Sequence, residues 1–61
     1  MLINLSVFLE LVDGTEDIKV VDHHKGLKTI YEGVKYNCPF IKGDVCAVYT
    51  TKGKIVIEVV A

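Results

Sequence analysis

The sequence predicts an α+β fold: a short N-terminal helix packed on a four-stranded, mainly antiparallel β-sheet built from two hairpins. Three observations carry this expectation. A leucine-rich segment with an apolar stripe runs up to Gly14, four runs rich in β-branched residues follow, and turn-forming residues separate those runs in pairs. The 61 residues are read as a single domain, 1–61, because a chain this short closes only one small core. A composition that is 51% hydrophobic with a net charge of −1 is that of a packed chain and excludes disorder.

The first segment, residues 2–12, has two periodicities. With period 2, Ile3, Leu5, Val7, Leu9 and Leu11 share one strand face; with period 3.6, Leu5, Phe8, Leu9 and Val12 form one helical stripe. Leucine and glutamate favour the helix. A helix over residues 6–13 is expected, with Ser6 as its N-cap and Gly14 as its stop. Residues 18–22 and 27–34 then read as an antiparallel hairpin turned by His23-His24-Lys25-Gly26. Asn37, Pro39 and Gly43 break the pattern, so residues 36–43 should form a helical turn or short loop. Residues 45–51 and 54–60 form the clearest hairpin, joined at Lys52-Gly53.

The closing strand has one consequence for association. Ile55, Ile57 and Val59 should face the helix stripe, which leaves Val56 and Val60 on the other side. A sheet covered on one face needs only one apolar face. Either the loop at 36–43 covers Val56 and Val60, or another chain does, and a homodimer would satisfy the second case.

The charges are uneven along the chain. Residues 1–24 carry a net charge of −4 and residues 25–61 a net charge of +3, and every basic residue is a lysine. Without arginine there is no bidentate fork to read guanine edges or clamp phosphates, which argues against a sequence-specific DNA reader. Tyr31, Tyr36 and Tyr49, near Lys28, Lys35 and Lys52, offer a surface for weak single-stranded nucleic-acid binding. A pI near 6.0 makes nucleic acid an unlikely partner all the same. No apolar run is long enough to span a membrane, and the first residues lack the pattern of a signal peptide. Two cysteines, Cys38 and Cys46, are too few for a disulfide-stapled secreted domain. Reduced thiols in a cytoplasmic protein are expected.

No catalytic constellation is visible. Asp22-His23-His24 at a strand end resembles the motif that names the DHH phosphoesterases. That resemblance covers three residues, and the chain has no third histidine to complete a two-metal site. The stretch is read as a polar turn and the protein as a non-enzyme. Adjacent histidines at a strand end point to opposite sides, so His23 and His24 with Cys38 or Cys46 make no expected metal site. With no cofactor, chelators should leave folding unchanged. Neither thiol has a partner base in sequence.

With the elements placed, the order Phe8-Leu9-Glu10-Leu11-Val12, a strand at 18–22, Tyr31-Glu32-Gly33, Cys38-Pro39-Phe40 and a closing strand at 55–59 resembles small uncharacterised proteins of prophages and conjugative elements of Gram-positive bacteria. The resemblance implies a non-enzymatic protein-interaction module that binds a host protein. An anti-CRISPR-like inhibitor of a host defence nuclease such as a CRISPR-Cas effector is its most specific form. Glu10, Asp13, Glu16, Asp17 and Asp22 are the acidic residues expected to compete for a nucleic-acid channel, with Val56 and Val60 as apolar partner contacts. A self-assembling phage accessory protein is the further alternative.

Overall fold

The computed structural model describes residues 2–60. The apolar periodicity at the N-terminus is divided between two elements. Ile3–Asn4 forms a short strand, β1, and Leu5–Leu9 forms the helix α1. The expected helix over residues 6–13 therefore starts one residue earlier and is shorter. Its N-cap is Asn4, whose side chain accepts a hydrogen bond from the Ser6 amide at 2.9 Å, so Ser6 is not the cap. Beyond Leu9 the turns tighten, and Glu10, Leu11 and Val12 each donate to the carbonyl three residues back. The helix thus ends well before Gly14.

β2 (Asp17–Asp22) and β3 (Lys28–Val34) make the first hairpin. The turn between them is a 3-10 helix, His23–Lys25, capped by the Asp22 carboxylate on the His24 amide and closed by Gly26 in the left-handed region. Asp22-His23-His24 is thus a polar turn, as its sequence suggested. A second 3-10 turn, Lys35–Asn37, leads into an extended loop before β4 (Asp44–Thr51). β4 and β5 (Lys54–Val60) form the second hairpin. Lys52 and Gly53 at its tip both have positive φ, 51° and 77°, the two-residue turn that suits strand twist.

The sheet itself departs from expectation. It has five strands in the order β1-β4-β5-β2-β3, and the two hairpins are joined by a parallel pairing of β2 with β5. It is a mixed sheet, with β1 added antiparallel to the start of β4. β2 and β5 are its two central strands, and they supply most of the buried residues. Leu5, Leu9, Ile18, Val20, Val45, Ile57 and Val59 form one core cluster, with Phe8, Val12 and Ile55 packed against it. The predicted stripe therefore meets the predicted face of β5.

Central position also explains why β5 is apolar on both sides. Val56 is only 4% exposed, and Val60 is half-buried. The loop does not cover Val56: Cys38 and Ile41 pack on the opposite, core side, and Phe40 stays 79% exposed. Val56 is flanked instead by Lys19 of β2 and Tyr49 of β4 in register, and it lines a shallow depression with Lys19, Glu32, Thr51, Lys52 and Lys54. Long side chains whose charged ends stay in water shield it within one chain. Its apolarity is accounted for without a second molecule. Gly43 completes the frame, for its carbonyl accepts from the Leu5 amide at 2.9 Å. At its φ of 147° a Cβ would stand 3.1 Å from the Val60 carbonyl oxygen.

Candidate functional site

The acidic residues singled out in sequence do not form one surface. Glu10 ends α1, Asp13 and Glu16 lie in the connection to β2, and Asp17 opens β2; all four are exposed. Asp22 sits at the far end of the same strand, half-buried and committed to the His24 amide. Five strand steps of about 3.3 Å separate Asp17 from Asp22. The uneven charge of the sequence is also folded into proximity. Asp13 is held below its ordinary value first by the backbone and hydroxyl of Thr15, with a further contribution from Lys35. Lys54 is held above its ordinary value by its hydrogen bond to Glu32, and Asp17 adds to the effect. Acids of the first half thus meet lysines of the second. Val56, being buried within the chain, offers no contact surface of its own.

The tyrosines are also divided. Tyr31 packs against the core, with its hydroxyl donating to the Val34 carbonyl at 2.6 Å. Tyr49 lies on the other sheet face, in register with Val56, and Tyr36 stands 83% exposed in the second 3-10 turn. No single stacking platform unites the three.

A group that the sequence did not assemble lies across β4, β5 and the end of β2. The parallel register sets Val21 beside Glu58, so His23, just past the strand, reaches the Glu58 carboxylate: Nδ1 and Oε1 are 3.0 Å apart. On the other flank, a bulge between Val45 and Ala47 makes Cys46 an extra residue, and its Sγ lies 3.4 Å from the Glu58 carbonyl oxygen. Ligand-capable atoms of His23, Cys46 and Glu58 all fall within 4.8 Å of one another. His24 is no part of this group, consistent with adjacent histidines diverging. The Tyr49 phenol is held above its ordinary value by desolvation and then by the Glu58 carboxylate near it. Cys38 lies elsewhere, packed on the core, and burial raises its thiol above the ordinary value.

The chain matches no family model, no curated protein and no solved structure.

The outer edges of the sheet are the remaining feature. Among the described residues, β1 pairs with β4 only at Asp44 and Val45, and none pairs with the outer edge from Cys46 to Thr51. That stretch, Cys-Ala-Val-Tyr-Thr-Thr, contains no charge, proline or glycine, and Val48 and Tyr49 are exposed. The opposite edge, β3, carries Lys28, Glu32 and Gly33. Charge blunts the β3 edge, whereas on β4 the bulge at Cys46 sits at one end and the stretch from Ala47 to Thr51 carries no charge or proline. Among the described residues no helix is long and apolar enough to cross a membrane.

Proposed function

We propose that this protein is a non-enzymatic protein-interaction module that binds by strand addition at the open edge of β4. The observation that carries this reading is the uncharged edge of β4, which past the bulge at Cys46 runs from Ala47 to Thr51 with no lysine, other charge or proline to oppose pairing. Main-chain groups there supply affinity to an extended segment, and Val48 and Tyr49, exposed on opposite faces, supply side-chain selection. The partner is an extended segment of a host protein. The mobile-element setting, with a host defence nuclease as target, is supported by the sequence pattern alone. Acidic mimicry is the weaker route to such inhibition, since Asp22 lies apart from the other four acids.

Val48→Lys and Thr50→Lys test the reading, because both positions are exposed and a charge on the edge opposes pairing without entering the core. Affinity capture from a bacterial lysate should recover a partner with the wild type and lose it with either variant, while circular dichroism stays unchanged. Capture that survives both substitutions would overturn strand addition. Steeply salt-dependent binding of single-stranded nucleic acid, with no protein partner, would overturn the whole reading in favour of the tyrosine and lysine surface. A mass that rises with concentration in the wild type and not in the variants would make a second copy the occupant.

A further inference from the structure

We infer that His23, Cys46 and Glu58 form a binding site for a single transition-metal ion of the zinc class. The three side chains come from three neighbouring parts of the sheet, with Glu58 on central strand β5, His23 just past β2 and Cys46 on β4. They bring one imidazole nitrogen, one sulfur and one carboxylate oxygen within 4.8 Å of one another. Ligands bound to zinc at about 2.0–2.3 Å in tetrahedral geometry stand roughly 3.4–3.6 Å apart. That spacing fits inside the 4.8 Å that encloses the three atoms, and the His23 to Glu58 pair at 3.0 Å needs only to open slightly to admit an ion.

The donor set selects the class of metal. Calcium and magnesium take oxygen ligands and would leave the sulfur and the nitrogen unused. Mixed nitrogen, sulfur and carboxylate donors suit zinc and its tetrahedral surrogate cobalt. Three protein ligands leave a fourth position for water, and the exposed side chain of His23 keeps the group reachable from solvent.

A hydrogen bond between His23 and Glu58 accounts for two of the three groups, and the Cys46 thiol has the Glu58 carbonyl oxygen at 3.4 Å as its partner. The His23 to Glu58 bond requires no thiol and no bulge. The extra residue in β4 is what turns Cys46 onto the flank of Glu58, and bulges commonly re-aim a side chain in this way. The core closes on Leu5, Ile18, Val20, Ile57 and Val59 without any ligand residue. Metal therefore adds to a fold already formed, and a chelator removes the ion without unfolding the chain.

Cobalt(II) titration of the reduced full chain tests this directly. The expected result is one ion per chain, with visible bands of tetrahedral cobalt and a sulfur-to-cobalt charge-transfer band in the near ultraviolet. Cys46→Ser should abolish the charge-transfer band, and Cys38→Ser should keep it. His23→Gln and Glu58→Gln should each weaken binding at least about tenfold, the upper range for loss of a supporting group being about a hundredfold. Zinc should displace cobalt and raise the melting temperature of the wild type but not of Cys46→Ser. Cys46 and His23 are exposed, so their variants should fold, which circular dichroism checks. No cobalt bound at stoichiometric concentration would overturn the site, as would a charge-transfer band that survives Cys46→Ser or disappears with Cys38→Ser.

Discussion

Asp13 shows how a single side chain is tuned by its neighbours in sequence. Its Oδ1 accepts from the Thr15 amide at 2.8 Å and from the Thr15 hydroxyl at 2.7 Å, closing a small polar turn before β2. Both bonds favour the charged form, so the carboxyl lies below its ordinary value of 3.8, and Lys35 contributes least. A folded value below the unfolded one makes this group stabilising above about pH 3.8, and that contribution disappears as the pH falls through the folded value. A carboxyl titration followed by NMR should therefore place Asp13 below 3.8, and Thr15→Val, which removes only the hydroxyl donor, should move it part of the way back. Added salt should change it little, because hydrogen bonds outweigh the lysine. Titration at the ordinary value in the wild type would mean that the turn is open in solution.

At the scale of elements, the short helix is held by its first residue more than by its length. Five residues are far too few for a stable isolated helix, so the cap and the buried faces of Leu5 and Leu9 must hold it. Asn4 accepts from both the amide and the hydroxyl of Ser6. Asn4→Ala should cost about 0.5–2 kcal/mol in chemical denaturation, whereas Ser6→Ala, which leaves the amide bond intact, should cost less. The reverse order would restore Ser6 as the cap. Much of this level was legible in the sequence. The β-branched runs marked four strands to within a residue, and Lys52-Gly53 marked the tight turn. The two-residue β1 carries too few side chains for any periodicity, and the three-step hydrogen bonds after Leu9 look like ordinary helix in sequence. Glu58, the one polar residue between Ile55 and Val60, was a signal that sequence reading passed over. The Cys46 bulge has no such mark, because any residue type can occupy an extra position in a strand.

At the scale of the whole molecule, local patterns do not say how two hairpins dock. Each hairpin is fixed by its own turn, but the parallel junction of β2 with β5 depends on burial summed over both strands. The two-sided apolarity of β5 was the available clue. It fits an interior strand, and the burial of Val56 within the chain accounts for part of it, while Val60 stays half-buried. The two faces of β5 now carry a definite prediction. Ile57 is fully buried in the core, so Ile57→Ala should cost roughly 2–5 kcal/mol. A domain of this length has a stability of only a few kcal/mol, at about 0.05–0.15 kcal/mol per residue, so that variant should be largely unfolded. Val56 is nearly as buried and shares a depression with Lys19 and Lys54. Val56→Lys would add an ammonium to a depression already lined by Lys19, Lys52 and Lys54, against the single carboxylate of Glu32, at a cost of about 1–3 kcal/mol for burying a polar group. Its melting temperature should fall in the monomer, and by the same amount at every protein concentration. A loss that appears only at high concentration, with the dilute protein unaffected, would return Val56 to an interface between chains and displace the shielding by Lys19 and Lys54 as its cover.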